Sequence, residues 1–182
     1  MDWLNEVRGN LQKKNQILFQ KDSEYLQDLA MLFQNQSHRT MALWALDFAA
    51  ESVERLEVRY PDERRPREAL AAAEAWAAGA MKMPQAQRKI LDCHAFAKEI
   101  DQKEDIATCH AIGQACSVIH TAGHAMGYPM YDLTSIVYRL GIEHCSKAVE
   151  LRKQEYLDKL FYWKEHPRNN NGIWADFMRK ER

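Results

Sequence analysis

Glycine and proline are scarce in this sequence, with seven and five residues respectively among 182. Their scarcity, together with a hydrophobic fraction of 46%, excludes a fibrous or disordered chain and favours packed helices. Apolar runs approaching the roughly 18 residues that a membrane-spanning helix needs are also missing, so we expect no membrane contact. The length suits a single domain that covers residues 1–182.

Excess charge of either sign is missing too, because the formal net charge is −1. Without a cluster of basic residues, nucleic acid is not an expected partner. The N-terminus passes directly into polar sequence without the apolar stretch of a signal peptide, which predicts a cytoplasmic protein. Cysteines that occur singly and never as CxxC are then expected to be reduced core thiols. They are Cys93, Cys109, Cys116 and Cys145.

The sequence does contain a strongly apolar helical stretch, residues 41–79, around which the rest of the chain is expected to fold. Met41–Val58 is apolar on nearly all sides in its first turns, so this helix must be buried. Pro61 ends it, because proline has no amide hydrogen and pushes the preceding residue out of helical space. The next helix is predicted to take Asp62 as its N-cap and to stop at Gly79. The two helices form an αα-hairpin.

Helical periodicity extends over most of the remaining chain. The first helix is predicted to run from Trp3 to about Gln20, and Ser23 is predicted to cap the second. Later helices are expected to begin at Met83, near Glu104, within the glycine-containing bend at 120–129, and at about Glu143 with an end at His166. Together these patterns predict an all-α fold, a single-domain multi-helix bundle of about seven to eight helices built around the hairpin.

A short amphipathic piece, residues 167–182, follows the last long helix. A loop is predicted at 169–172, and the apolar residues that follow it are Ile173, Trp174, Phe177 and Met178. Packing of this piece against the bundle is favoured, because exposed aromatic groups are uncommon outside interfaces. The alternative is that the piece stays exposed and joins two copies of the chain in a homodimer.

Histidines are the strongest chemical candidates in the sequence. His120 and His124 are four residues apart, which on a continuous helix would place both imidazoles on one face. His94 and His110 could complete a metal site, which would make the protein a metal-binding or enzymatic bundle. Gly123 argues against a continuous helix, and no glutamate follows His120 as the zinc-protease motif requires. Structural histidines are therefore favoured, and no metal, cofactor or catalytic residue is assigned.

Asp47 is the only charged residue between positions 41 and 50, so it needs a partner if its helix is buried. Three arginines follow the hairpin turn and are the natural partners. The expected structural polar cluster consists of Asp47, Arg64, Arg65 and Arg67. The charged runs at 51–57 and 147–153 are, by contrast, typical of solvated helix faces.

Three segments of the hairpin also carry a family likeness: WALDFA at 44–49, YPDERRPREA at 60–69 and EAWAAG at 74–79. With these tryptophans, the YPD turn and the RPR run in order, the sequence resembles a family of helical immunity proteins found beside bacterial polymorphic toxins. The likeness continues through HAFAKE at 94–99 and the stretch 109–128, and it covers roughly residues 37–163. Residues 1–36 would then be N-terminal helices that precede the family-like region.

The resemblance implies a cytoplasmic binding protein that neutralises a cognate protein toxin by occlusion, without catalysis. Its binding surface is not identified by the likeness. A few aromatic anchors would supply most of the affinity, and the candidates are Trp3, Trp174, Phe177 and any exposed tyrosines. The histidine-based metal or enzyme hypothesis and the self-associating module remain the alternatives.

Overall fold

The computed structural model describes residues 3–167 and 173–179, and these form nine α-helices and no β-strand. The helices are α1 (Trp3–Gln12), α2 (Gln27–Gln34), α3 (His38–Arg59), α4 (Arg65–Ala77), α5 (Met83–Phe96), α6 (Lys103–Ser117), α7 (Gly127–Leu140), α8 (Ser146–Glu165) and α9 (Asp176–Arg179). Short 3₁₀ helices, Glu24–Leu26 and Ala122–Met126, precede α2 and α7. The all-α prediction is confirmed. Within the described ranges, no helix has the length and apolar character to cross a membrane.

The longest helix, α3, lies at the centre of the bundle. It packs against α4, α6 and α8, and five consecutive residues near its start are all buried: Met41, Ala42, Leu43, Trp44 and Ala45. Ser37 caps this helix, since its hydroxyl oxygen accepts a hydrogen bond from the Thr40 amide. The prediction that this helix is buried on several sides is confirmed.

The hairpin turn differs from the prediction at one cap. Helix α3 ends at Arg59, and α4 begins only at Arg65, so Asp62 is not its N-cap. The carboxylate of Glu63 instead accepts a hydrogen bond of 2.9 Å from the Arg65 amide at the start of α4. At the other end, Gly79 adopts a φ of 80°, the left-handed conformation that glycine tolerates best after a helix.

Helix α1 is shorter than predicted, because the chain leaves helical geometry after Gln12. The buried Asn10 side chain donates a hydrogen bond of 2.9 Å to the Leu18 carbonyl and accepts one of 2.9 Å from Asn15. These bonds hold an irregular segment against the bundle, where Leu18 and Phe19 are fully buried. The predicted helix to about Gln20 is therefore wrong.

Ser23 stands at the start of the 3₁₀ helix that precedes α2, but its side chain does not cap it. The Ser23 hydroxyl donates instead to the Glu6 carboxylate at 2.8 Å, which ties the segment to α1. The boundary at Gly141 behaves as a full break, since this residue ends α7 with a φ of 79° and α8 begins at Ser146 rather than Glu143.

The C-terminal piece packs back on the bundle. Trp174 and Met178 are buried, and the Ala175 amide donates a hydrogen bond of 2.8 Å to the Ala77 carbonyl at the end of α4. Phe177 is 40% exposed. The predicted loop at 169–172 lies outside the described residues.

The four cysteines are all buried and free, which agrees with their expected role as core thiols. They contribute to one hydrophobic core that extends from Trp3 in α1 to Met178 in α9.

Candidate functional site

A buried ionic network connects three helices of the bundle. Its centre is Asp132 of α7, whose side chain has no exposed surface. The Asp132 carboxylate accepts hydrogen bonds from Arg55 of α3 at 2.8 Å, from Arg152 of α8 at 2.7 Å and from the Tyr156 hydroxyl of α8 at 2.7 Å. A fully buried carboxylate is tolerated only when charges and donors compensate it, and here two guanidinium groups do so.

Tyr128 extends this network toward α3. Its hydroxyl donates to the Phe48 carbonyl at 3.1 Å and accepts from Arg152 at 3.1 Å, and it is hydrogen bonded to the Ser52 hydroxyl at 2.8 Å. The Arg152 guanidinium also lies 4.6 Å from the centroid of the Phe48 ring, within the range of a cation–π contact. The network therefore fixes the relative positions of α3, α7 and α8.

The positive charges of Arg152 and Arg55 determine the protonation state of Asp132. Burial alone would raise the pKa of Asp132, but the charges of Arg152 and Arg55 outweigh burial and hold this pKa at about 2. Burial, followed by the charge of Asp132, raises the pKa of Tyr156. Asp132 is thus ionised at neutral pH and is too weak a base to take a proton, which indicates a structural role.

Sequence reasoning missed this network. Arg55 and Arg152 were assigned to solvated faces, yet both donate to the buried Asp132. The sequence gives one local indication that Asp132 is buried and paired: it is the one charged residue in an otherwise uncharged stretch, residues 122–138. The assignment of 51–57 and 147–153 to solvated faces is wrong at these two arginines, because each is the member of its run that turns toward α7.

The predicted partnership of Asp47 with the arginines of the hairpin turn is wrong. Asp47 faces α8, where its carboxylate accepts a hydrogen bond of 2.9 Å from the Trp163 indole and pairs with Lys159 at 2.8 Å. The turn lies about 12 residues further along α3, a distance of roughly 18 Å along the helix axis. Arg64 occupies the N-cap position of α4, Arg65 pairs with Glu63 and Glu99, and Arg67 pairs with Glu57.

The four candidate histidines are divided among separate contacts. His94 of α5 and His110 of α6 are hydrogen bonded to each other through their Nδ1 atoms at 2.8 Å. His124 donates to the Gln114 side chain at 3.2 Å, and His120 stacks on Trp76 with ring centroids 6.2 Å apart. Among the described residues, no three His, Cys, Asp or Glu side chains are grouped so that they could hold a metal ion.

The His94–His110 pair is packed closely against the backbone of α6. A Cβ atom placed on Gly113 would lie 2.2 Å from Nε2 of His94, so glycine leaves the space that this ring occupies. Burial, the neighbouring His94 ring and Lys98 together lower the pKa of His110 to about 4. Burial and Lys98 also lower the pKa of His94. The pair is therefore neutral at pH 7.

Changing His110 to glutamine is expected to reduce the acid sensitivity of the fold. The ordinary histidine pKa of about 6.5 applies to the unfolded chain. The stabilisation from the neutral His110 is therefore complete above pH 6.5 and is lost as the pH falls toward 4. Because the ring is only partly buried, we expect the H110Q variant to lose about 2–4 °C less in Tm than the wild type between pH 7 and pH 5.

Differential scanning calorimetry at the two pH values measures this difference. The matched control is H144Q, since His144 is exposed. Equal losses of Tm in the wild type and in the H110Q variant would show that protonation of the His94–His110 pair does not change the stability of the fold.

Exposed aromatic side chains gather on the last turns of α8. Phe161 and Tyr162 are 53% and 52% exposed. The Tyr162 ring lies 4.9 Å from the Trp163 ring and 4.4 Å from the His166 ring, measured between centroids. The name α8 aromatic surface is used below for the following residues of α8 and its C-cap: Phe161, Tyr162, Trp163 and His166. The predicted anchors Trp3 and Trp174 are buried in the core and cannot contact a partner as they stand.

The fold and these sites define an all-α protein whose charged centre is buried and whose most exposed aromatic side chains, Phe161 and Tyr162, lie in the last turns of α8. A protein-family model described as an Imm-5 like putative immunity protein matches residues 31–159, more than half of the chain. The chain therefore belongs to this family, as its hairpin motifs indicated. No curated protein and no solved structure matches the chain.

Proposed function

We propose that this chain is a cytoplasmic immunity protein that binds a cognate protein toxin of a polymorphic toxin system and neutralises it by occlusion. The observation that carries the proposal is the match of residues 31–159 to the immunity-protein family. The toxin, its cytoplasmic encounter with this chain and the mode of neutralisation come from the family resemblance. The matched region contains the hairpin and the whole Asp132 network.

The absence of catalysis is part of the proposal, and two features of the molecule support it. Asp132 is held ionised by Arg55 and Arg152, so it serves as a structural counter-ion. His94 and His110 use their Nδ1 atoms on each other, and burial holds both rings neutral at pH 7. An occluding protein needs no reacting group and depends on a rigid surface.

We place the toxin contact on the α8 aromatic surface. Tyr162 is exposed, and Trp163 beside it is partly buried. Tyrosine and tryptophan supply large contact areas at low cost in conformational entropy, and residues of this kind dominate binding energy at protein interfaces. Trp163 is already held by its hydrogen bond to Asp47, and Lys159 beside it is paired with the same carboxylate. Trp163 is therefore held in place before the partner arrives.

Alanine at both Phe161 and Tyr162 is expected to weaken toxin binding at least tenfold, since one or two hot-spot residues account for more than about 2 kcal/mol. Both side chains are more than half exposed, so the Tm of the variant should stay within about 2 °C of the wild type. Surface plasmon resonance with the immobilised toxin domain measures the change. The matched control is L91A on α5, which also removes an exposed apolar side chain. Equal affinity for the two variants would place the contact elsewhere.

Growth protection tests the proposed function as a whole. A candidate toxin domain, chosen from the genes that neighbour this one, is expressed from an inducible promoter, with and without the full chain at measured abundance. Restored growth in the presence of the chain is the expected result. Continued toxicity, with the chain folded and in excess, would refute neutralisation.

The self-associating module receives less support. Its proposed contact, the C-terminal piece, has Trp174 and Met178 buried against the rest of the chain, which leaves mainly Ile173 and Phe177 for a second copy. Light scattering of the purified chain tests self-association, because a self-associating module must be a dimer in solution. The proposed immunity function requires no dimer.

A further inference from the structure

A small polar pocket lies between α3, α6 and α7, beside the Asp132 network. Its volume is about 230 Å³, below the roughly 300–1,000 Å³ of pockets that hold drug-sized molecules. Three arginines dominate its lining. The lining residues are Arg55, Leu56, Arg59, Glu104, Asp105, Thr108, Ser135 and Arg139.

The two carboxylates of this pocket are already paired. Arg59 donates to Glu104 at 2.9 Å and to Asp105 at 2.7 Å, and the Tyr60 hydroxyl donates to Asp105 at 2.9 Å. Both carboxylates therefore pair with Arg59, and the charge of Glu104 also acts on Arg139. Arg55 and Arg139 are the arginines of the lining that form no ion pair with these two carboxylates.

Arg55 lines the pocket, and only one of its three guanidinium nitrogen atoms donates a hydrogen bond to another described residue. Its hydrogen bonds to Ser52 and Asp132 both leave from Nη2. Within the described residues, no hydrogen bond involves Nε or Nη1 of this side chain. A guanidinium carries five N–H donors in a fixed plane, so the remaining donors can bind a second anion.

Arg139 is the least compensated cation of the lining. In the part of the chain that the structure describes, its side chain forms no hydrogen bond and no ion pair. Burial, and then the positive charge of Arg55, lowers the pKa of Arg139, and the opposing charges of Asp132 and Glu104 do not outweigh these effects. Cations that repel one another across a pocket are stabilised when an anion enters between them.

The base of the pocket supplies hydroxyl groups. The Thr108 hydroxyl donates to the Glu104 carbonyl at 2.8 Å and lies 2.9 Å from the Ser135 hydroxyl. Because its own hydrogen is used, Thr108 accepts from Ser135. Rotation of the Ser135 hydroxyl would turn that donor toward an incoming oxygen atom.

We propose that this pocket binds a small oxyanion of phosphate type between Arg139 and Arg55. The pocket volume suits the anion itself or the phosphate group of a mononucleotide whose remainder extends into solvent. Planar guanidinium groups bind such tetrahedral oxyanions through paired N–H donors. The site is separate from the α8 aromatic surface, and it does not depend on the proposed toxin binding.

Isothermal titration calorimetry of the full chain with inorganic phosphate, at constant ionic strength set with chloride, tests the site. The wild type is expected to bind phosphate saturably at one equivalent. The R139Q variant is expected to bind at least tenfold more weakly, and S135A several-fold more weakly. The matched control is R88Q, which removes an exposed arginine of α5 outside the pocket and should bind as the wild type does.

A parallel titration with adenosine monophosphate distinguishes the two sources of the anion. Tighter binding of the mononucleotide than of phosphate, lost in R139Q, assigns the site to a phosphate group on a larger ligand. Tighter binding of phosphate assigns it to the free anion. The proposal is overturned if neither ligand binds the wild type saturably, or if R139Q, with the Tm of the wild type, binds as tightly as R88Q.

Discussion

Replacing Asp132 with asparagine is expected to lower the free energy of unfolding by about 3–5 kcal/mol, the usual effect of removing one partner from a buried ion pair. The asparagine would leave Arg55 and Arg152 as buried cations without their shared counter-ion. It would also put an amide where the carboxylate accepts the Tyr156 hydroxyl. Urea denaturation at pH 7, followed by circular dichroism, measures the change.

The matched control for this variant is D158N. Asp158 is an exposed residue of α8 that accepts a hydrogen bond from Gln154, so its replacement should change stability by no more than about 0.5 kcal/mol. If D132N unfolds at the same urea concentration as D158N, the ionic network does not stabilise the fold as described.

The same network makes the stability of the fold depend on pH in the acid range. The ordinary aspartate pKa of about 3.9 applies to the unfolded chain, and in the folded chain this pKa is about 2. The stabilisation of roughly 2–3 kcal/mol that corresponds to this difference is present above pH 4 and is lost as the pH falls through 2. The D132N variant should lack this part of the acid transition.

Replacing Trp44 with alanine is expected to destabilise the fold by about 3–5 kcal/mol, which is the range for buried aromatic residues. The Trp44 ring is fully buried in α3 and contacts four other aromatic rings, those of Phe33, Phe48, Tyr128 and Tyr156. Its indole N–H donates to the Tyr156 carbonyl at 2.9 Å. The alanine variant removes both the packing and this hydrogen bond.

The W44F variant separates the contribution of packing from that of the hydrogen bond, and F161A is the matched control. W44F keeps most of the packing and loses the N–H donor, so it should cost less than W44A, about 1–2 kcal/mol. F161A removes an exposed aromatic side chain of α8 and should change stability by less than about 0.5 kcal/mol. A W44A variant as stable as F161A would show that the ring is not part of a close-packed core.

Much of the fold follows from local pattern. The apolar run that begins at Met41 required a buried helix, and Pro61 and Gly79 mark its end and the end of the next helix within two residues of the observed positions. Two side-chain caps were assigned incorrectly, at Ser23 and Asp62. In the first case Glu6, distant in sequence, competes for the hydroxyl group. A cap is a single hydrogen bond, and one tertiary contact is enough to displace it.

The pairing of charges could not be predicted in the same way. Arg55 and Asp132 are 77 residues apart in the chain, and their contact depends on the rotation of α3 relative to α7. Asp47 was expected to need a partner, and it has one, but the partner is Lys159 on α8. The sequence indicates that a buried charge must be compensated, whereas the identity of its partner depends on helix packing.

The candidate binding surface depends on the same packing. Phe161 and Tyr162 lie in a helix with apolar residues on several sides, and only the position of α8 against α3 and α7 determines which of them remain exposed. Trp3 and Trp174, two of the anchors expected for a binding protein of this family, are core residues. Phe177, another of these expected anchors, is 40% exposed, so a position near a chain end does not by itself determine whether an aromatic residue is exposed.

The most direct test of the central claim is a calorimetric titration of the purified chain with a candidate toxin domain, chosen from the genes that neighbour its own. The account predicts saturable binding at one-to-one stoichiometry that is weakened at least tenfold in the F161A/Y162A variant and unchanged in L91A. Absence of binding, with both proteins folded and the toxin domain active, would contradict the assignment of this chain as the immunity protein for that toxin.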